Sequence, residues 1–333
     1  MTRRPAHGGR LHAAARRWGI PYEEWLDLST GINPHGWPVP GIPAALWQRL
    51  PEDDDGLTEV IRVWASPPTG AGVLAVAGSQ AAIQGLPLQR AGARVAVPAP
   101  GYEEHRFGWL NAGHTVVALS PEQIDQQLDR LDVVVWIQPN NPTGVRLTSE
   151  RLLGWHQRLA ARGGWLVVDE AFLTAADTGS LVPFTDREGL IVLRSVGKFF
   201  GLAGIRAGAM FAIPALCQAL NRSLGPWALS GPSRYVMAQA LLDHDWQQGM
   251  TKTLRQDARR LRALLADVGL RPSGGTDLFQ YVPHPQAGLL ADRLARAGIL
   301  VRRFDAPSAL RFGLPGCEQD WQRLQAAMQS LVN

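Results

Sequence analysis

Short apolar, mostly β-branched runs recur along the first two thirds of the chain, separated by longer segments that read as helices. The runs are continuous rather than alternating, which indicates strands buried on both faces. Together with the intervening helices they predict a large α/β domain. The seven predicted strands are Val73–Ala77, Arg94–Val97, Thr115–Leu119, Val133–Ile137, Trp165–Val168, Ile191–Leu193 and Ala209–Ile213.

The pattern changes after a Pro-rich stretch that ends near Pro232. A long segment rich in Arg, Leu and Ala follows and predicts one helical region over about 233–268. Three later runs predict strands with helices between and after them, an α+β pattern: Phe279–Val282, Ile299–Arg302 and Ala309–Gly313.

The start of the chain, through about Gly41, is rich in Pro and Gly and has too little apolar surface to fold alone. We therefore predict three regions. An N-terminal segment, 1–41, packs across the other two at the active site. A large α/β domain occupies 42–232, and a long linking helix with a small α+β domain occupies 233–333.

Composition narrows the class of protein. At 333 residues, 46% hydrophobic and 19% charged, the chain is an ordinary globular protein. It has no apolar run of the ~18 residues that span a bilayer, and its Arg-rich start lacks the apolar segment of a secretory signal. We expect a cytosolic protein with no membrane partner.

Charge and cysteine content exclude further classes. The net charge is +4, but the arginines are scattered and form no stripe for nucleic acid, so a small anionic substrate is the better expectation. Cys217 and Cys317 are far apart and have no partner at metal-ligand spacing. We predict neither a disulfide framework nor a metal site.

Lysine is rare in this chain. Of the 33 Lys and Arg residues only two, Lys198 and Lys252, are lysine, so 31 are arginine. An arginine stays protonated, whereas a lysine amine can lose its proton and attack a carbonyl. Lys252 lies in a segment that reads as an exposed helix face, which makes Lys198 the candidate covalent residue.

Polar segments follow four of the predicted strands, at the place where open α/β sheets bind ligands. Taken alone, the first also fits a simple helix cap, the second an ordinary turn, and Asp169 in the third a loop cap. The first opens a helix, so its backbone N–H groups could hold a phosphate. The four segments are Gly78-Ser79-Gln80, Asn141-Pro142-Thr143-Gly144, Asp169-Glu170-Ala171-Phe172, and Ser195 to Arg206 around Lys198.

Together these segments supply a Schiff-base lysine, a carboxylate for a pyridinium nitrogen, an amide for a phenolic oxygen, and groups for a phosphate, which are the needs of pyridoxal phosphate. Their order resembles the fold-type I (aspartate aminotransferase-like) enzymes, in the branch that holds histidinol-phosphate aminotransferase. The resemblance covers nearly the whole chain. It implies a seven-stranded, mainly parallel sheet and a homodimer.

The same resemblance implies roles for individual residues. Lys198 would bind the cofactor covalently and later transfer a proton, and Asp169 would keep the pyridine nitrogen protonated. Asn141 would bond the ring oxygen. The cofactor phosphate would lie among Gly78, Ser79, Gln80, Ser195 and Arg206.

Some positions depart from the family pattern. Phe172 replaces a tyrosine that usually bonds the ring oxygen. Alignment of the segment Pro100–His105 with the family's ring-stacking motif places His105 over the ring, with Tyr102 as the alternative. Leu50 stands where a neighbouring subunit often lends a tyrosine to the phosphate.

The N-terminal His7-Gly8-Gly9, the stretch from Leu26 to Gly36, and Asp-Glu-Ala-Phe resemble the threonine-phosphate decarboxylases of cobalamin biosynthesis. Those enzymes convert L-threonine O-3-phosphate to (R)-1-aminopropan-2-yl phosphate. Arginine supplies the bidentate geometry that the substrate's phosphate and carboxylate need. The substrate-binding candidates are His7, Gly8, Gly9, Gly31, Asn33, Asn141, Arg302 and Arg311.

Two alternatives stay open at this point. A histidinol-phosphate-type aminotransferase would share almost every cofactor residue. A catalytically silent binding or regulatory protein would keep the fold without the reaction.

Overall fold

The computed structural model describes residues 5–174 and 177–332. Residues 1–4 and 333, which the first and last predicted regions include, lie outside the described residues. By their contacts the described residues form two units. The first consists chiefly of Trp37–Asn141 and Arg146–Gln248, and the second of Ala6–Gly36, Pro142–Val145 and the chain from Gly249 onward.

These boundaries differ from the predicted ones. The N-terminal residues from Ala6 to Gly36 group with the C-terminal part of the chain, and the first unit extends to Gln248 rather than to residue 232. A three-residue strand in the N-terminal segment accounts for its grouping, because it pairs with a C-terminal strand.

The strands alternate with helices along most of the chain. The strands are β1 (Leu26–Leu28), β2 (Gly72–Val76), β3 (Arg94–Pro98), β4 (Thr115–Leu119), β5 (Val133–Ile137), β6 (Trp165–Asp169), β7 (Leu190–Ser195), β8 (Gly208–Ala212), β9 (Gly274–Thr276), β10 (Phe279–Pro283), β11 (Ile299–Asp305) and β12 (Ser308–Gly313).

The helices are α1 (Leu11–Trp18), α2 (Ala45–Gln48), α3 (Leu57–Ala65), α4 (Ser79–Gly85), α5 (Glu103–Asn111), α6 (Pro121–Gln127), α7 (Ser149–Ala160), α8 (Pro214–Leu224), α9 (Gly231–Leu242), α10 (His244–Asp267), α11 (Ala287–Arg296) and α12 (Glu318–Val332). Short 3₁₀ turns cover Tyr22–Glu24, Leu86–Gln89, Leu128–Arg130, Val182–Phe184 and Ala203–Ile205.

The first unit is built on a seven-stranded sheet in the order β2-β8-β7-β6-β5-β3-β4. Only β8 runs opposite to the others, because it pairs antiparallel with both β7 and β2. All seven predicted strands are present, and the predicted mainly parallel sheet is confirmed. Val133, Val135, Val167 and Ile191 are buried against helices α4, α5 and α8, which explains why their strands lack polar alternation.

The second unit contains a five-stranded sheet in the order β1-β11-β12-β10-β9. β1 lies parallel to β11 at one edge, and the other pairs are antiparallel. The three predicted strands of this region correspond to β10, β11 and β12. Sequence patterns did not predict the short strands β1 and β9.

The predicted continuous helical region over 233–268 is wrong in one respect, since Asp243 separates α9 from α10. Its carboxylate accepts a hydrogen bond from the Trp246 backbone N–H at 3.1 Å and from the Trp37 indole Nε1 at 2.9 Å. A side chain that bonds a backbone N–H three residues ahead acts as an N-cap, so a new helix begins here.

Candidate active site

A cleft lies at the carboxyl ends of the parallel strands of the first unit, with about 630 Å³ of empty space that is open to solvent. It collects residues from all four polar segments singled out in the sequence. The predicted residues that line it are Gly78, Ser79, Gln80, Tyr102, Asn141, Asp169, Phe172, Ser195, Lys198 and Arg206. Ile137, Ala171, Gly197 and Ala203 complete the walls.

One end of the cleft is suited to a phosphate. Gly78 has φ +70° and ψ 158°, a conformation that is essentially restricted to glycine, and it precedes the first turn of α4. A Cβ atom at Gly78 would lie 2.9 Å from Nη2 of Arg206, so the missing side chain leaves room for the guanidinium. The Ser79 and Ser195 hydroxyls line the same cleft, which gives an anion several donors.

Arg206 reaches this position from a strained backbone. It has φ +52°, in the left-handed region that disfavours residues with a side chain, and it ends the turn Ala203–Ile205. Its Nη1 donates to the Ala203 carbonyl at 3.1 Å. Such strain persists where the surrounding structure enforces it and is frequent at ligand sites.

A buried carboxylate forms another part of the cleft. Asp169 is the last residue of β6 and is 3% exposed. Its Oδ1 accepts from the Ala171 N–H at 3.0 Å, and its Oδ2 lies 2.9 Å from Nε2 of His105. A carboxylate oxygen has two acceptor positions, so Asp169 can also accept from a protonated ring nitrogen.

His105 and Tyr102 occupy different places. His105 is 1% exposed, bonds Asp169, and is absent from the described residues that line the cleft, whereas Tyr102 lines it. Of the two candidates for stacking on a cofactor ring, Tyr102 is therefore the one that lines the cleft, and its stacking role stays a prediction. The two rings meet edge to face, with centroids 6.2 Å apart.

Lys198 lies in the turn after β7, in the same cleft as Asp169 and Asn141. Its Nζ lies 5.7 Å from the centroid of the Phe172 ring. The side chain that replaces the usual tyrosine therefore contacts the amine through its ring face, where a cation is attracted to the π electrons.

Sequence reasoning missed a buried ion pair next to the cleft. Glu170 follows Asp169 and is 1% exposed, and its Oε2 accepts from Arg194 Nη1 at 3.2 Å and from the Ser180 hydroxyl at 2.7 Å. Burial raises the pKa of Glu170, while Arg194 opposes the rise. The available signal was Arg194 itself, a charged residue directly after the apolar run Ile191–Leu193.

The remaining candidates lie in the second unit. His7, Gly8 and Arg302 line a groove with about 900 Å³ of empty space that is open to solvent, together with Ser29 and three further arginines. Those arginines are Arg10, Arg17 and Arg303. A side chain at Gly8 would collide with the Ser29 carbonyl, which accounts for glycine there.

Hydrogen bonds tie these candidates to one another. The Gly9 N–H donates to the Ser29 hydroxyl at 2.7 Å, and Arg311 Nη2 donates to the Ser29 carbonyl at 2.9 Å. Arg302 Nη2 donates to the Ala6 carbonyl at 2.6 Å. The N-terminal His-Gly-Gly and the two arginines therefore belong to one cluster.

Gly31 and Asn33 are both buried and lie in the turn that follows β1 and Ser29. Asn33 Oδ1 accepts from the His35 N–H at 2.8 Å, which shapes that turn.

Arg302 and Arg311 are directly opposite one another on the antiparallel strands β11 and β12. Like charges in this arrangement repel. Burial, assisted by the charge of Arg302, lowers the pKa of Arg311 to about 10, and burial also lowers the pKa of Arg302. A bound anion would relieve both the repulsion and the cost of burial.

Comparison with known proteins shows the family of this chain. The family model "Aminotransferase class I and II" matches residues 68–330. The chain belongs to the aminotransferase class I and II family. Within this family it is 48% identical over 322 residues to the threonine-phosphate decarboxylase of Pseudomonas aeruginosa, covering 97% of this chain and 96% of the relative.

One further relative agrees with the family assignment, and a solved structure shares the fold. The chain is 40% identical to a threonine-phosphate decarboxylase of a Sinorhizobium species, covering 92% of each chain. The histidinol-phosphate aminotransferase of Sinorhizobium meliloti, solved in complex with pyridoxal-5'-phosphate, has the same fold, with a TM-score of 0.84 and 22% identity. That comparison covers 98% of this chain and 96% of the other.

Within the residues that the structure describes, no helix is both long and apolar enough to cross a membrane.

Proposed function

We propose that this protein is a pyridoxal phosphate-dependent enzyme that decarboxylates L-threonine O-3-phosphate to (R)-1-aminopropan-2-yl phosphate and CO₂, in cobalamin biosynthesis. The observation that carries the proposal is the pairing of Arg302 with the buried Arg311 beside the N-terminal His-Gly-Gly. A substrate with a phosphate and a carboxylate offers two anionic groups to such a cluster. Near full-length relatives with this activity in their names support the same substrate.

The cleft of the first unit fits the cofactor. The space left by the missing Gly78 side chain, and the donors of Ser79, Ser195 and Arg206, would hold its phosphate. Asp169 would hold the proton on the ring nitrogen, and Asn141 would bond the ring oxygen. Tyr102 would stack on the ring. When bound, the cofactor supplies an electron sink for the electron pair that remains at Cα as CO₂ leaves.

The chain's own residues would perform the other tasks. The Lys198 amine would bind the cofactor in the resting enzyme and, once the substrate amine has replaced it, deliver a proton to Cα. His105 would orient Asp169 through their 2.9 Å contact. Arg302, Arg311, His7 and the Gly8–Gly9 backbone would bind the phosphate and carboxylate of the substrate.

A carbon dioxide release assay tests this function. The protein with pyridoxal phosphate is incubated with L-threonine O-3-phosphate labelled at the carboxyl carbon, and labelled CO₂ and the amino-alcohol phosphate are measured. A parallel reaction contains histidinol phosphate and 2-oxoglutarate. Release of CO₂ without glutamate supports the proposal, whereas glutamate without CO₂ would assign an aminotransferase. Failure of the protein to bind the cofactor would favour a silent binding protein.

We further propose that the enzyme is a homodimer. Five large apolar side chains of the first unit are at least half exposed: Trp47, Leu50, Val63, Leu88 and Trp227. Trp47 is on α2 and Val63 on α3, and both helices pack against α9. Exposed apolar surface of this kind is typical of interfaces. Light scattering would measure the mass of the protein in solution. We expect Trp47→Glu to shift that mass towards the mass of the monomer.

The cytosolic location remains a prediction.

A further inference from the structure

A chain of hydrogen bonds leads from helix α5 to the aromatic ring in the cleft. The Tyr102 hydroxyl donates to Gln80 Oε1 at 3.3 Å, and Gln80 Nε2 donates to Glu104 Oε2 at 2.8 Å. Gln84 Nε2 donates to the same Glu104 oxygen at 3.1 Å. Gln80 and Gln84 are four residues apart on α4, so they present neighbouring side chains to α5.

The charge of Glu104 determines which way the Gln80 amide points. A carboxylate only accepts hydrogen bonds, so Gln80 must turn its NH₂ group towards Glu104. Its carbonyl oxygen then faces Tyr102 and can only accept. The Tyr102 hydroxyl is therefore held as a donor in one direction.

The protonation of Tyr102 agrees with this direction. Burial, with smaller contributions from the negative charges of Glu104 and Asp169, raises the pKa of Tyr102 to about 12. The hydroxyl consequently keeps its proton at all physiological pH values.

We propose that Glu104 is a positioning residue for the aromatic ring of the cofactor site: it orients Gln80, and Gln80 holds Tyr102 at the angle at which its ring stacks on pyridoxal phosphate. This inference rests on the proposed function, because it assigns Tyr102 to the cofactor. Glu104 acts through Gln80 and does not itself line the cleft among the described residues.

The chain offers a matched control. Gln84 donates to the same carboxylate oxygen from the same helix, but the relay to Tyr102 passes through Gln80. Loss of Gln84 weakens the packing of α4 on α5 without freeing the Gln80 amide. A purely structural role of Glu104 would make Glu104→Gln and Gln84→Ala equivalent.

The experiment compares Glu104→Gln, Gln84→Ala and Tyr102→Phe. Glu104→Gln is isosteric but lets the Gln80 amide turn either way. We expect the dissociation constant of pyridoxal phosphate to rise about tenfold in Glu104→Gln and Tyr102→Phe, the loss of one hydrogen bond. The visible circular dichroism of the bound cofactor, which reports the ring's orientation, changes with it. Gln84→Ala stays within about twofold of the wild type.

The double variant Glu104→Gln/Tyr102→Phe loses no more affinity than Tyr102→Phe alone, because both changes break one relay. Additive losses, equal effects of Glu104→Gln and Gln84→Ala, or an unchanged affinity in Glu104→Gln would each overturn the proposal.

A measurement on the protein without cofactor distinguishes a failure of this inference from a failure of the proposed function. The chain has four tyrosines, so selective ¹³C labelling gives few signals to assign by nuclear magnetic resonance. In the apoprotein, Glu104→Gln should shift the Tyr102 signal and Gln84→Ala should not. If the wild type binds no pyridoxal phosphate, the proposed function fails. If Glu104→Gln leaves the apoprotein signal unchanged, the positioning role fails instead.

Discussion

Nε2 of His105 lies 2.9 Å from Oδ2 of Asp169, and both side chains are buried. The histidine comes from the first turn of α5 and the aspartate from the end of β6, so this contact joins two separate elements at the floor of the cleft. A buried carboxylate without such a partner would be costly. The contact therefore both stabilises Asp169 and fixes the direction in which its remaining acceptor positions point.

Replacement of His105 tests that role. His105→Leu removes the donor, and we expect kcat to fall about 10- to 100-fold with little change in KM, since the substrate groups are untouched. His105→Gln places an amide nitrogen near the former Nε2 position and should recover most of the activity. If His105→Leu and His105→Gln lose the same activity, the hydrogen bond is not what matters.

Gly78→Ala should impair cofactor binding. The backbone conformation of Gly78 costs about 1–3 kcal/mol of free energy when a residue other than glycine adopts it. The added Cβ would also displace the Arg206 guanidinium. We expect the dissociation constant of pyridoxal phosphate, measured by titration of the apoprotein, to rise by at least about tenfold. Gly163→Ala is the control, because Gly163 also has positive φ (+67°) but open space around its Cβ position. It should lose stability without losing cofactor affinity.

Breaking the Glu170–Arg194 ion pair should make the free energy of unfolding depend on pH. Arg194→Met leaves Glu170 buried without its cation, which costs about 3 kcal/mol of unfolding free energy near neutral pH. Burial raises the pKa of Glu170 in the folded state above its unfolded value, so the protonated carboxyl favours folding at low pH and this contribution is lost as pH rises. Urea unfolding should show a smaller deficit at pH 5 than at pH 8. The double variant Arg194→Met/Glu170→Gln should recover most of the loss, and an equal deficit at both pH values would contradict this account.

The two lysines provide a paired test of the covalent role. Lys198→Ala should lose decarboxylation by several orders of magnitude, because both cofactor attachment and proton delivery are removed. Lys252→Ala should retain it. Borohydride reduction followed by peptide mass spectrometry should locate the cofactor on Lys198 in the wild type and in Lys252→Ala. An adduct on Lys252 would contradict the assignment.

An anion should stabilise the protein through Arg311. Inorganic phosphate at 100 times its dissociation constant adds about 2.7 kcal/mol to the stability of the state that binds it. With pyridoxal phosphate bound, so that the cleft already holds the cofactor's own phosphate, we expect inorganic phosphate to raise the thermal midpoint of the wild type and to have little effect on Arg311→Met. Burial lowers the pKa of Arg311 to about 10, so the charged form disfavours folding at neutral pH and Arg311→Met without phosphate should be as stable as the wild type or more so. A phosphate effect that persists in Arg311→Met would place the anion elsewhere.

The strands of the large sheet were predictable because strands that are buried on both faces consist of continuous apolar runs. The short edge strands of the second sheet were not. β1 has only three residues and depends on β11, far along the chain, and β9 consists of Gly-Gly-Thr, which carries no apolar signal. The break at Asp243 was missed because Trp37 and Trp246, which hold its carboxylate, are set by tertiary packing.

For the candidate site, the residues at strand ends were predictable because strand order along the chain places them at one edge of the sheet. The difference between Tyr102 and His105 was not. They are three residues apart at the start of one helix, and only the packing of α5 on the sheet decides which faces the cleft and which meets Asp169. The partners of Glu104 and Arg194 depend on contacts between elements in the same way.

The parallel pairing of β1 with β11 has a consequence for the order in which the protein is made. Leu26–Leu28 leave the ribosome near the beginning of synthesis, whereas Ile299–Asp305 follow only near its end. The first strand of the smaller sheet therefore cannot pair with β11 until all seven strands of the larger sheet have been synthesised. All seven strands of the sheet whose strand β7 leads to Lys198 are therefore synthesised before the strands that carry Arg302 and Arg311.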